Sequence, residues 1–387
     1  MTDREQGKTT LSNWRTWPFN RWGFQNADRL IPTAIISGQP APPRAMAGLE
    51  LLDLPFAYPD GRQVTLGGHL GLSAADALLV LQDGEVLTEW YAPWVDPSRP
   101  HTVFSISKSI TGLLAGIAVG QGLLDPEAQI ADFLPMAPGA AYAGAHIREL
   151  LDMTVGIAFE DDYLDTAGLF GRYRRAMLWN PPDANLPAET LPDVLADLQQ
   201  RGAHGERFFY ASPNVDMLGL VLERVTGQRY HTYLAEQLWA PMGASGPAYI
   251  TTDGIGTARA SGGLCMTARD LARIGQLLLA DGRGEDGQQV VPAAWIEDLR
   301  EQASFPAWAA GSAADMFPRG RYRSGWYHPD GSGTSFCAIG IHAQWLWVDR
   351  TKRRVVVKLS SRPEPSEDAA TQREIAMMNA IFAAPLA

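Results

Sequence analysis

An antiparallel sheet built from both chain ends and flanked by helices, with a mostly helical domain inserted between its halves, is the α/β (α+β) architecture this sequence predicts. Three observations carry it. One pair of β-rich runs stands near the start, a second pair stands near the end, and between them apolar residues recur at helical spacing.

In the first forty residues Trp14, Trp17, Pro18, Phe19, Trp22 and Phe24 crowd together without period. Residues 1–45 therefore read as an arm packed over the main body, since so many exposed rings would drive association. Ala77 to Leu81 and Val86 to Tyr91 flank Gln82-Asp83-Gly84-Glu85, whose Asp-Gly pair is a hairpin signal. Ile106, Ile110, Leu113, Leu114 and Ile117 then repeat at helical spacing, as do Met217, Leu218, Val221, Leu222 and Val225. Leu271, Ile274, Leu277 and Leu278 do so after a Thr267 cap. Asn180-Pro181-Pro182-Asp183 and Gly331 to Ser335 read as loops. A second hairpin joins Gln344 to Val348 with Arg354 to Leu359, and Ser366 is placed to cap a last helix bearing Ile375, Met378 and Phe382. The sheet domain is thus expected in residues 46–103 and 325–387, and the helical domain in 104–324.

With 387 residues, 46% hydrophobic and 19% charged, the chain is an ordinary folded protein. Its 32 basic and 43 acidic residues leave −11, which argues against nucleic acid or an anionic membrane as the main partner and for a small molecule. Cys265 and Cys337 are too few for a disulfide framework or a cysteine zinc site, which fits a reducing compartment. Met1 to Gly7 is charged and has no apolar run behind it, and Ile110 to Leu124 is broken by glycines, so neither a leader nor a membrane span is read. A cytoplasmic location is expected, with no metal and no cofactor.

Of four lysines, Lys108 alone stands at the start of an apolar helix, in Ser105-Ile106-Ser107-Lys108. A lysine three residues after a serine lies one turn later on the same helix face, within reach of the hydroxyl. Burial and the positive helix end both disfavour the ammonium, so a neutral amine base is plausible, and free N–H groups at that end can hold an oxyanion. Taken alone, the short S-x-x-K signal is weak, and Lys108 reads more readily as a side chain snorkelling to water. Tyr210, in Phe208-Phe209-Tyr210-Ala211-Ser212-Pro213-Asn214, can point its hydroxyl into a cleft and act there as a phenolate base, or be a core tyrosine before a helix capped by Ser212 or Asn214. No G-x-S-x-G, H-E-x-x-H or P-loop occurs.

Together with Leu123-Leu124-Asp125-Pro126, Ile130-Ala131-Asp132-Phe133-Leu134-Pro135, His146 to Leu151, Tyr210 to Gly227 and Gly262 to Ala272, the Ser105 segment resembles the serine β-lactamase and penicillin-binding superfamily. Asn20 to Phe24, Glu160-Asp161-Asp162-Tyr163 and Gly340-Ile341-His342-Ala343-Gln344 are similar, within it, to the 6-aminohexanoate-dimer hydrolases and the related family VIII carboxylesterases. The resemblance implies a β-lactamase-like fold. It also implies Ser105 as nucleophile, Lys108 as its base, Tyr210 as proton relay and the N–H groups of Ser105 and Ile341 as oxyanion hole. Tyr163, Ser212, Ser261 and His342 would touch substrate. Ser212 stands where β-lactamases keep Asn, and Ala338-Ile339-Gly340 where they keep Lys-Thr-Gly, so their cationic carboxylate holder is missing.

The function expected is a serine hydrolase that cleaves small linear amides or esters through an acyl-enzyme, with a homodimer compatible. A short-chain carboxylesterase without amidase activity and a penicillin-recognising non-hydrolytic domain are the alternatives. Glu160, Asp161, Asp162 and Asp165 surround Tyr163, and with the negative net charge they lead to an expected preference for substrates bearing a free ammonium.

Overall fold

The computed structural model describes residues 8–36, 48 and 51–385; Met1 to Gly7 and residues 37–45 of the expected arm lie outside the described residues. A seven-stranded antiparallel sheet forms the centre. Edge to edge its strands are Glu85–Tyr91, Ala75–Gln82, Arg354–Ser360, Gln344–Asp349, Ser335–Gly340, Trp326–His328 and Arg321–Arg323. Both expected hairpins are in it, and the two chain ends meet where Val80 lies opposite Val356. The first turn places Asp83 at φ 51° and Gly84 at φ 90°, a pair of left-handed residues that an Asp-Gly sequence supplies at low cost and that matches strand twist.

Leu78, Val80 and Val355 to Val357 are fully buried, so the central strands are covered on both faces. The Ala268–Leu279 helix packs on the Ala75–Gln82, Gln344–Asp349 and Arg354–Ser360 strands, and the Ile106–Gly120 helix on Trp326–His328 and Ser335–Gly340. Thr267 caps the former by accepting from Asp270 N–H, as its sequence suggests. The last helix, Asp368–Ala383, starts later than expected: its cap position is Glu367, whose backbone is still extended, and Ser366 does not cap it.

A second antiparallel sheet, absent from the sequence expectation, joins Thr33–Ile36, Ala248–Thr251, Leu264–Met266 and His101–Thr102. Its strands have two to four residues, and three of them are buried throughout, so no apolar alternation marks them. In the arm, Trp14 and Phe24 are fully buried and pack edge-on to each other and against Phe104 and Trp179. That contact carries the arm onto the residue that precedes Ser105.

Candidate active site

Phe104 takes a left-handed backbone, φ 47°, while fully buried. Such a conformation in an aromatic residue costs energy and persists only where neighbours fix it. Here Ser107 Oγ donates to the Phe104 carbonyl at 2.6 Å and accepts from Leu264 N–H at 3.1 Å. The turn sets Ser105 at the entry of the Ile106–Gly120 helix, so Lys108 stands one turn further on the same side.

Lys108 is 2% exposed; its Nζ lies 3.0 Å from Ser105 Oγ and donates to the Ser261 carbonyl at 2.8 Å. Burial lowers its pKa to about 7, with Arg259 pushing the same way and Asp161 and Asp216 opposing. Tyr210 completes the group: Lys108 Nζ lies 4.9 Å from its ring centroid, and Ser105 is close enough to act on its phenol. Burial and then Asp161 drive the Tyr210 phenol upward, against Ser105 and Arg259. The phenolate base considered from sequence is therefore disfavoured, and Tyr210 is a neutral hydroxyl.

The remaining candidates separate. Ser212 Oγ donates to Asp161 Oδ2 at 2.5 Å and its N–H to Asp161 Oδ1 at 3.1 Å. Ser261 offers its carbonyl to Lys108, while its N–H and hydroxyl go to Asp216 at 2.8 and 3.0 Å. Tyr163 packs edge-on to Phe170, with its hydroxyl 3.5 Å from Asp161. His342 is buried, its Nδ1 2.7 Å from the Arg362 carbonyl, and burial lowers its pKa to about 3, so it is neutral. Ser105, Tyr163, Ser212, Ser261 and Ile341 line one small space of about 20 Å³, room for about one water. His342 borders the larger hollow of about 690 Å³ outside it. A further hollow of about 260 Å³, near Glu127, His146 and Tyr322, touches none of the candidates.

Of the four acids expected in the cleft, Asp161 alone faces the group. Glu160 pairs with exposed Arg201, Asp162 accepts from Leu164 N–H, and Asp165 accepts from the N–H groups of Ala167, Gly168 and Phe170. Short loops use aspartates this way to bond their own backbone. Sequence reading missed the arginines: Arg15, Arg174 and Arg259 line the Ser105 space with Phe104, Phe170 and Trp179. Arg259 is held by Asp216 at 2.9 Å and by the Tyr173 hydroxyl at 2.7 Å. No period or motif marks these residues, because they come from the arm, the Leu169–Ala176 helix and the Thr257 to Gly263 loop.

Among the described residues no group of His, Cys, Asp and Glu side chains could hold a metal ion, and no helix is long and apolar enough to cross a membrane. The beta-lactamase family matches residues 70–377. The 6-aminohexanoate-dimer hydrolase of Paenarthrobacter ureafaciens is 36% identical over 359 residues, 93% of this chain and 90% of that protein. A solved Bacillus anthracis chain, provisionally named a 6-aminohexanoate-dimer hydrolase, shares the fold at TM-score 0.87 and 24% identity, covering 97% of each chain. EstCE1, a hydrolase with promiscuous acyltransferase activity, shares it at TM-score 0.62 and 17% identity over 80% of this chain and 93% of its own. The chain therefore belongs to the beta-lactamase family and is a serine hydrolase of that fold, similar to 6-aminohexanoate-dimer hydrolase.

Proposed function

We propose that the enzyme cleaves small linear amides or esters through an acyl-enzyme on Ser105. The observation that carries this reading is the buried Lys108 amine, 3.0 Å from Ser105 Oγ and with a pKa near neutrality. A neutral amine can take the Ser105 proton as Oγ attacks the carbonyl carbon, while its own N–H keeps the Ser261 carbonyl and so its direction. The carbonyl electrons move to oxygen. Ser105 and Ile341 border that space, and among the described residues neither backbone N–H is spent in a hydrogen bond, which supports them as the oxyanion hole. As the tetrahedral intermediate collapses, Tyr210 gives its proton to the departing nitrogen or oxygen and regains one from Lys108. Water then attacks the ester by the same route in reverse.

The 36% identical relative named 6-aminohexanoate-dimer hydrolase supports a linear amide substrate, whereas a plain esterase would use the same residues without needing help for an amine leaving group. A fluorophosphonate probe tests the nucleophile: wild type should be labelled and Ser105→Ala should not, with unchanged circular dichroism. Equal labelling of both removes Ser105 from the mechanism. Turnover of a linear 6-aminohexanoate amide beside p-nitrophenyl butyrate then separates amidase from esterase.

A further inference from the structure

Two successive left-handed residues follow Ile341. His342 has φ 62° and Ala343 φ 66°, in the turn that joins the Ser335–Gly340 and Gln344–Asp349 strands. A tight hairpin calls for such a pair, and Asn-Gly ordinarily supplies it, because a Cβ is crowded in that region. Ala343 has a Cβ and no polar group to compensate, so neighbours must hold the turn. Gln344, fully buried, does so with one amide: Nε2 lies 3.2 Å from the Ile341 carbonyl, 3.2 Å from the His342 carbonyl and 2.7 Å from the Ser360 carbonyl, while Oε1 accepts from Ser360 N–H at 3.0 Å. The turn is thereby tied to the end of the Arg354–Ser360 strand. His342 adds two bonds to the segment beyond it. Its N–H donates to the Pro365 carbonyl at 2.9 Å, and its ring, kept neutral by burial, donates from Nδ1 to the Arg362 carbonyl at 2.7 Å. Asn20 of the arm, also fully buried, donates to the Ser361 and Arg362 carbonyls at 2.9 and 3.2 Å and backs that segment.

This clamp acts on the backbone that borders the Ser105 space. Ile341 lines that space, and a Cβ on Gly340 would lie 2.6 Å from the Val103 carbonyl oxygen, so the strand end runs in close contact with the residues that lead into Ser105. One side of Ile341 is therefore fixed by the strand and the other by the left-handed turn. An N–H serves an oxyanion hole only when it is aimed in advance at the place where charge develops. If His342 or Ala343 left the left-handed region, the chain would swing at Ile341 and carry its N–H away from that place. Gln344 bonds backbone groups of residues 341, 342 and 360 and does not line the Ser105 space, so its influence runs through the turn.

We propose that Gln344 is a positioning residue for the oxyanion hole, its amide holding the strained turn at 341–343 so that the Ile341 N–H stays aimed at the substrate's carbonyl oxygen. This rests on the acyl-transfer reading above, with the N–H groups of Ser105 and Ile341 as donors. Two consequences distinguish it from a merely structural role. Loss of the amide slows the chemical step and spares substrate binding, because the oxyanion forms only on the way through the transition state. Glycine at position 343 offsets that loss, because it takes the left-handed conformation without the cost of a Cβ.

The test compares p-nitrophenyl butyrate with its thionoester, in which sulfur replaces the carbonyl oxygen, on the whole enzyme. Sulfur is a weak hydrogen-bond acceptor, so a working oxyanion hole favours the oxygen ester, and the ratio of the two kcat/KM values, set against the same ratio for hydrolysis by hydroxide, reports the hole itself. Gln344→Met should lower kcat for the oxygen ester by about ten- to a hundredfold, less than the loss of a whole donor, with KM changed by less than about threefold, and should compress the ratio. Gln344→Asn, which keeps a shorter amide, should fall between Gln344→Met and wild type. Ala343→Gly added to Gln344→Met should restore kcat several-fold. A Gln344→Met protein that keeps the wild-type kcat or the wild-type ratio overturns the proposal, and so does a glycine double variant no faster than its parent. If circular dichroism shows Gln344→Met unfolded, Gln344→Asn with and without Ala343→Gly makes the same comparison. The layer beneath is read on wild type alone. An enzyme that favours the oxygen ester no more than hydroxide does removes the oxyanion hole and this proposal with it; a preference that survives undiminished in Gln344→Met removes only the role of Gln344 and leaves the acyl-transfer reading standing.

Discussion

Ser105 is an ordinary hydroxyl made available by its neighbours, and Lys108 is the one whose protonation can be followed. With a pKa lowered to about 7 by burial, the amine is protonated on the acid side and neutral above it. A base must be neutral, so kcat/KM on a neutral ester should rise with pH through about 7 and level off above. Lys108→Arg cannot deprotonate in this range and should be as inactive as Lys108→Ala, by about a hundredfold or more. An arginine variant that keeps most activity would reduce Lys108 to an electrostatic support. Asp161 gives a second handle, since its charge raises the Lys108 pKa. Asp161→Asn removes that charge while Asn can still accept from Ser212 Oγ, so the acid limb should move to lower pH. A limb that stays or moves upward shows that Asp161 acts only through the position of Ser212.

At the scale of elements, the helix that follows Ser105 is held by close backbone contact. A Cβ on Gly112 would lie 2.0 Å from the Ser324 carbonyl oxygen, in the turn between the Arg321–Arg323 and Trp326–His328 strands. Ser109 Oγ bonds the Gly325 carbonyl at 2.5 Å in the same contact. Gly112→Ala must therefore push helix and turn apart, and should destabilise by about 1–3 kcal/mol in urea unfolding while lowering kcat, because Ser105 rides on that helix. Gly71→Ala is the control: nothing lies within 4 Å of the added methyl, and stability should change by less than about 1 kcal/mol. Since Ala is the better helix former, a loss at Gly112 no larger than that at Gly71 would show that the contact does not decide.

Across the whole molecule, the two ends of the chain are locked by a buried charge chain. Lys358 on the Arg354–Ser360 strand donates to Glu374 of the last helix at 2.8 Å; Glu374 lies 3.2 Å from His69 Nε2, and His69 Nδ1 is 2.8 Å from the Tyr58 hydroxyl. Burial pushes the Glu374 carboxyl up, but Lys358 and His69 outweigh it and hold it down to about 2. A carboxyl lowered on folding adds stability that is present above its ordinary value of 4.5 and lost as pH falls towards about 2. Glu374→Gln should cost about 3–5 kcal/mol at neutral pH, because it strands the Lys358 ammonium, and should flatten the acid limb of stability. Lys358→Met with Glu374→Leu should recover most of the loss; urea titrations from neutral to acid pH check all three proteins, and an unchanged acid limb in Glu374→Gln would assign it to other groups.

The sequence by itself determined what is local in the chain. An Asp-Gly pair imposes its turn, apolar spacing imposes helices at Ile106–Gly120, Ser212–Thr226 and Ala268–Leu279, and a three-residue spacing puts Lys108 beside Ser105 on any helix. The likeness of ordered motifs added Tyr210 and Ile341, which local spacing could not join to them. Only the tertiary structure decided the rest. The short second sheet has too few residues for a period, and the acids near Tyr163 look alike in sequence until their hydrogen bonds separate Asp161 from the others. The arginines that line the Ser105 space are drawn from positions 15, 174 and 259, and the sign of the charge there is set by which cations are left unpaired. That sign is a sum over side chains distant along the chain, so it exists only once the fold has brought them together and removed the water between them.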